Sequence, residues 1–253
     1  MKNIILTLIL FSLSAQANTW IRLGYVYTGD TKARFGSDPA TVANMAAKHV
    51  FIQTAFRTSG TQTRIATLRV GRIQSSFGKA ATTLEQMNNL MDNFREGVVW
   101  PYSLPNQRVR WGQANTGATF ASNKRLDLIC FVSPLSSGAG HAQIYGPCSL
   151  VRYNSPNGIW LHEIGHNFTL FHGTGGYVRN DEDAHLNDDD FYASDLSNNK
   201  RTALAGASPV YSIARFSNPN RTYSGYPYGT ADRNNASIIR TTRTNVRSYR
   251  DAW

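Results

Sequence analysis

Cysteine, acidic residues and long apolar runs are all scarce in this chain of 253 residues. Its only two cysteines, Cys130 and Cys148, lack the close spacing of a cysteine-ligated zinc site, so we expect no such site. Beyond residue 17 no apolar run is long enough to cross a bilayer as a helix, and no transmembrane segment is expected. The 26 basic residues outnumber the 16 acidic ones without a nucleic-acid-binding motif, so we expect no specific nucleic-acid binding.

The longest apolar run lies at the N-terminus and indicates export. Lys2 precedes the apolar residues Ile4–Leu13, and Ala15 and Ala17 follow at the small-x-small spacing of a cleavage site. Residues 1–17 are therefore predicted to be a signal peptide, and the alternative is a buried N-terminal strand or helix. Cleavage near Ala17 leaves residues 18–253, which suit a single domain in the periplasm or the medium.

If the protein is exported, its two cysteines are expected to meet an oxidising environment. In an oxidising compartment a lone pair such as Cys130 and Cys148, which are 18 residues apart, most simply forms one disulfide. The alternative, which the sequence leaves open, is two buried thiols.

The charge is distributed unevenly along the chain. Residues 18–160 contain 15 basic and 6 acidic side chains, residues 161–200 contain 2 and 8, and residues 201–253 contain 8 and 2. The basic parts could attract anionic surfaces, although a solvated basic surface is favoured. The acidic run Asn180–Asp190 has the oxygen donors that Ca²⁺ prefers but no EF-hand pattern, so a solvated loop is favoured over a calcium site.

Apolar periodicity predicts a mixture of strands and helices, which indicates an α+β or α/β sheet of modest size. The predicted strands are Trp20–Thr28, Thr63–Val70, the central Leu126–Val132 and the edge strand Ser149–Tyr153. The predicted helices are Thr41–Phe56, Thr82–Phe94, the helix with the histidine motif described next, and a C-terminal helix capped by Asp232.

The histidine-rich stretch His162–His172 has the residue pattern of a metal-binding site. His162 and His166 are four residues apart, so a helix places both imidazoles on one face, where they can bind one zinc ion. Glu163 lies beside that face, and its carboxylate can take a proton from water whose pKa the metal lowers. His172 follows six residues after His166, so the chain must turn sharply after Asn167 for His172 to become the third ligand.

The spacing H-E-x-x-H-x-x-x-x-x-H from His162 to His172 resembles the H-E-x-x-H-x-x-G-x-x-H signature of the metzincin zinc endopeptidases. The sequence G-H-N at 165–167 resembles the adamalysin-like and gametolysin-like branches. The segment Phe216–Ala236 is similar to the one that closes the domain in secreted bacterial metzincins, including the peptidyl-Asp metallopeptidase group.

This resemblance implies an α+β metzincin fold and one catalytic domain over residues 18–253. A twisted mixed sheet with helices would form an upper lobe at about 18–168. A small irregular lower lobe would follow at about 169–253, with the zinc cleft between the two. The family also implies one catalytic Zn²⁺, held by His162, His166 and His172, with Glu163 as general base.

The chain departs from the family at two positions. Thr169 stands where the signature has glycine, and the turn there needs a backbone conformation that costs a β-branched residue on the order of 1–3 kcal/mol. Leu204 stands in the stretch aligned with the family's methionine turn, where leucine keeps an apolar floor of similar volume. We therefore expect a strained zinc site rather than a lost one.

The expected function is that of a monomeric, exported zinc endopeptidase acting on protein or peptide substrates. One alternative is a catalytically weak binding or toxin-like protein on a metzincin scaffold, which the Thr169 and Leu204 departures favour. Retention of Glu163 counts against it, because a purely structural zinc site needs no base. A second alternative is a zinc amidase that acts on cell-wall peptides, for which a basic surface would be useful.

Overall fold

The structure is a computed structural model, and it describes residues 18–66, 68–73, 98–101, 115–116, 124–135, 138–144, 146–170, 202–204, 213–229, 231 and 234–252. Four of the features predicted above lie outside these residues: the signal peptide, the helix at 82–94, the acidic run at 180–190 and His172.

The described residues form eleven strands and four α-helices. The strands are β1 (Thr19–Ile21), β2 (Leu23–Thr28), β3 (Thr63–Ile65), β4 (Arg69–Ile73), β5 (Val98–Pro101), β6 (Asn115–Thr116), β7 (Leu128–Ser133), β8 (Gly140–Ala142), β9 (Cys148–Arg152), β10 (Asn218–Tyr223) and β11 (Tyr226–Tyr228). The helices are α1 (Gly29–Phe35), α2 (Asp38–Thr58), α3 (Asn157–Asn167) and α4 (Asn235–Ser248), and a 3₁₀ turn, Tyr249–Ala252, follows α4. Within the described ranges, no helix combines the length and the apolar character needed to cross a membrane.

A seven-stranded sheet in the order β6-β5-β4-β2-β7-β9-β8 organises the fold. Its inner strands β4, β2, β7 and β9 are parallel, and antiparallel strands extend it at both ends. Two small sheets accompany it, the parallel pair β1–β3 and the antiparallel hairpin β10–β11. A mixed sheet with packed helices is an α+β architecture, as expected from the sequence.

The core lies between one face of this sheet and the helices α2 and α3. All six residues of β2 and of β7 are buried, as is typical of central parallel strands covered on both faces. Tyr25 of β2 packs against Trp160 of α3, with ring centroids 5.8 Å apart. From α2, Met45 and Ile52 join the same buried cluster.

Four predicted features differ from the observed ones. The strand predicted at 20–28 is two strands, because the backbone N–H at Arg22 donates to the Asp127 carboxylate at 2.7 Å instead of continuing a ladder. The segment predicted as one strand at 63–70 likewise divides into β3 and the start of β4. The strand β9 is not the edge of the sheet, because β8 pairs outside it. Helix α4 is capped by Asn234, whose side chain accepts from the backbone N–H at position 237 at 3.1 Å.

The predicted disulfide is absent from the structure, where Cys130 and Cys148 are both buried thiols. Cys130 lies in β7 in register with Ser149 of the parallel strand β9. Paired residues of parallel strands share a face, and successive residues alternate, so Cys148 points to the opposite face from Cys130. A disulfide cannot join two faces of one sheet without moving the backbone. The alternative of two buried thiols is therefore the one that the fold adopts.

Candidate metal and catalytic site

The H-E-x-x-H part of the motif, His162–His166, lies on α3, which is buried along almost its whole length. Ten of its eleven residues are buried, and Trp160, Leu161 and Ile164 belong to the main core cluster. Its first turn has no side-chain cap, so packing around the helix rather than capping stabilises it. The site is thus built on a rigid element, and its side chains are set by tertiary packing.

His162 and His166 meet as the spacing predicts. Their Nε2 atoms lie 3.1 Å apart, and both side chains are buried. The Nδ1 atom of His162 lies 3.0 Å from the carbonyl oxygen of Ala203, and that of His166 lies 2.6 Å from the carbonyl oxygen of Leu170. A carbonyl oxygen only accepts, so each Nδ1 carries the hydrogen and donates it.

This hydrogen-bond pattern fits a cation between the two rings. With both Nδ1 atoms donating, the two Nε2 atoms are left facing each other 3.1 Å apart, an arrangement that either a shared proton or a metal cation between them would satisfy. Zinc-binding histidines are oriented in this way, with the second nitrogen donating to a carbonyl or carboxylate. Two ligand nitrogens about 2.0–2.1 Å from a tetrahedral zinc ion lie about 3.3 Å apart, close to the observed separation.

Glu163 lies next to these histidines, against the edge strand β8. A Cβ atom added to Gly140 would lie 2.6 Å from the Oε1 atom of Glu163, so a side chain at position 140 would displace this carboxyl group. Burial raises the pKa of Glu163 from its ordinary value of 4.5 to about 8. A neighbouring divalent cation lowers the pKa of a carboxyl group, so binding a metal would favour the carboxylate that a general base requires.

The chain turns sharply at the end of α3 in a Schellman motif. The Thr169 N–H donates to the carbonyl oxygen of His166 at 2.9 Å, and the Leu170 N–H donates to that of Gly165 at 3.4 Å. Thr169 adopts φ +69°, the left-handed conformation that glycine usually supplies at this position. Its hydroxyl oxygen is buried without a hydrogen-bond partner among the described residues. The prediction that residue 169 occupies a glycine conformation is therefore confirmed.

Leu204 lies beneath the helix, as an apolar floor should. It is fully buried, and a Cβ atom added to Gly165 would lie 2.7 Å from its Cδ2 atom. The preceding residue, Ala203, supplies the carbonyl oxygen that orients His162. The segment 202–204 therefore both closes the site from below and fixes one imidazole.

The structure brings together two of the three predicted zinc ligands, and it places the predicted base, Glu163, on the same helix with its carboxyl group against Gly140. His172 lies outside the described residues, and among those that are described no group of three histidine, cysteine, aspartate or glutamate side chains could hold a metal ion. Sequence reasoning missed the carbonyl oxygens that orient the histidines and the role of Gly140. The only local sequence signal for the close approach of Glu163 to position 140 is that this position, within a short strand, is a glycine.

Comparisons with known proteins address the fold and not the chemistry. No protein-family model matches the chain. No curated protein matches it. The fold is similar to that of a chain in a solved structure described as "Structure of a chaperone-substrate complex", with a TM-score of 0.66 and 15% sequence identity. The match covers 92% of this chain and 35% of that one, so this chain spans about a third of the similar chain's length. At this identity the likeness shows a shared fold alone.

Proposed function

We propose that the protein is an exported zinc endopeptidase of metzincin type. His162, His166 and His172 would hold one Zn²⁺, and Glu163 would be the general base. The proposal rests on the geometry of His162 and His166. Their Nε2 atoms lie 3.1 Å apart, and each Nδ1 atom donates a hydrogen bond to a main-chain carbonyl oxygen. That donor set fits zinc, which binds neutral imidazole and favours tetrahedral coordination.

Bound there, zinc would supply a Lewis acid that polarises a peptide carbonyl and lowers the pKa of water. Glu163 would accept a proton from the attacking water and deliver it to the leaving amine. Its carboxyl group is suited to holding that proton, because burial raises its pKa to about 8 and thus stabilises the protonated form. The surrounding helix and Gly140 would keep the carboxyl group in place and exclude bulk water.

A peptide substrate is supported by the position of β8. This strand ends the sheet, pairing with β9 on one side and with no described strand on the other. Unpaired strand edges bind extended peptides through main-chain hydrogen bonds. Since Gly140 of β8 contacts Glu163, a peptide added to this edge would run past the proposed base.

The test is digestion of a peptide library by zinc-loaded mature protein, with metal analysis of the same sample and Glu163→Gln as the matched control. The proposal expects about one zinc per chain in both proteins and cleavage by the wild type alone. Zinc without cleavage would support the binding or toxin-like alternative instead. Cleavage confined to a cell-wall preparation would support the amidase.

A further inference from the structure

Asn167 makes an unusual set of hydrogen bonds. Its side chain is fully buried, and its Nδ2 atom lies 3.1, 2.8 and 2.9 Å from the carbonyl oxygens of Gln143, Gly146 and Cys148, respectively. Only a donor can face three carbonyl oxygens, which fixes the orientation of the amide. Two of the acceptors, Gln143 and Gly146, belong to the connection from β8 to β9, and the third, Cys148, is the first residue of β9, so one side chain of α3 binds both ends of this connection.

Asn167 and Glu163 lie four residues apart, on the same face of α3. Glu163 contacts Gly140, the first residue of β8, and Asn167 binds Gln143, the residue just after its last one. The two side chains therefore contact opposite ends of the same three-residue strand. The position of β8 along the helix is set at one end by close packing and at the other by hydrogen bonds.

We propose that Asn167 is a positioning residue that fixes the register of the edge strand β8 relative to Glu163. The inference rests on the proposed peptidase function, in which an extended substrate pairs with β8. Asn167 touches no reacting atom. It acts through the strand, and so determines which substrate bond lies beside the base.

Removing the amide group would release the loop. The carbonyl oxygen of Cys148 would keep its bond from the Gln143 N–H at 3.0 Å, but that of Gly146 has no other hydrogen-bond donor among the described residues. A partly buried carbonyl that loses its donor draws the loop toward water. A displacement of about 1 Å at β8 is enough to lower turnover on the order of 100-fold when the substrate is aligned by that strand.

The experiment compares Asn167→Asp and Asn167→Ala with matched variants of Asn218. The aspartate variant preserves volume and removes the donor, and the alanine variant avoids any added charge. Asn218 is also buried and donates from Nδ2 to a backbone carbonyl, that of Ser59, at 2.6 Å. It lies in β10, and its variants report the effect of losing a buried amide away from the site.

Two readouts are measured at temperatures where every variant is folded. The first is kcat/KM for a long peptide and for a truncated one that cannot span β8. We expect the Asn167 variants to lose roughly 10- to 100-fold on the long peptide and much less on the short one, with zinc content unchanged. The second is amide hydrogen exchange of Gly140–Gln143 without substrate, which we expect to accelerate in the Asn167 variants only.

Equal losses on long and short peptides, or equal losses in the Asn218 variants, would overturn the positioning role. Unchanged exchange at β8 would overturn it as well. If the wild-type protein cleaves no peptide, the proposed function fails, whereas hydrogen exchange still decides whether Asn167 fixes the strand.

Discussion

Thr169→Gly tests the turn that presents the site. Thr169 sits at φ +69°, where a residue with a Cβ atom loses on the order of 1–2 kcal/mol relative to a right-handed conformation. Its buried hydroxyl, unbonded among the described residues, adds a desolvation cost of about 1 kcal/mol or more. Glycine removes both costs and loses about 0.5–1 kcal/mol through the greater freedom of the unfolded chain.

The expected net effect is stabilisation of about 1–2.5 kcal/mol, and each kcal/mol raises the melting temperature of a domain of this size by roughly 2–4 °C. Zinc affinity should hold or rise, because the turn positions the Leu170 carbonyl oxygen that orients His166 at 2.6 Å. Thermal melts and zinc titrations measure the two effects. Thr169→Val separates the causes, since it removes the hydroxyl but keeps the β-branched side chain in the left-handed conformation.

The reasoning would be refuted if the glycine variant lost both stability and zinc affinity. A loss of more than about 1 kcal/mol would mean that threonine stabilises this turn by more than its conformational strain costs. A gain of equal size in the glycine and valine variants would assign the whole effect to the hydroxyl and none to the backbone.

Three further predictions follow from the same site and sheet. Glu163→Gln should lower peptide turnover by about 10²-fold or more while zinc content, measured by metal analysis, stays near that of the wild type. In chelator-treated protein the raised pKa of Glu163 gives a stability that is full below about pH 4.5 and is lost as pH rises through about 8. Denaturant titrations should therefore show unfolding free energy falling by up to about 5 kcal/mol over that window, and a Glu163→Gln variant with the same slope would contradict the assignment. Alkylation without reductant should label two thiols in denaturant and neither in native protein, because both cysteines are buried and burial raises the pKa of Cys130 to about 12. A peptide linking Cys130 to Cys148 would contradict the structure.

The parts of the fold that sequence predicts are those with a strong local pattern. The apolar run ending in β7 and the helical spacing of α2 are such cases, because burial on both faces or on one stripe is visible in the residues themselves. The three residues of β8 carry no alternation, so neither the strand nor its place outside β9 could be anticipated. Which face each cysteine occupies depends on strand register, which is a property of the assembled sheet.

The candidate site divides in the same way. Helix periodicity brings His162 and His166 together, and the glycine position of the turn follows from local backbone preference. The carbonyl oxygens that orient the two histidines cannot be predicted from local sequence, because Ala203, for example, is 41 residues from His162. Asn167 reaches acceptors 19 to 24 residues away, so its role also depends on the tertiary fold.

The most direct test of the central claim is X-ray absorption at the zinc edge on the mature, metal-loaded protein. We predict one tightly held zinc ion per chain, with three imidazole nitrogens at about 2.0–2.1 Å and one oxygen ligand. Loss of zinc on dialysis against buffer, a sulfur ligand, or an ion bound by fewer than three imidazoles would contradict the account.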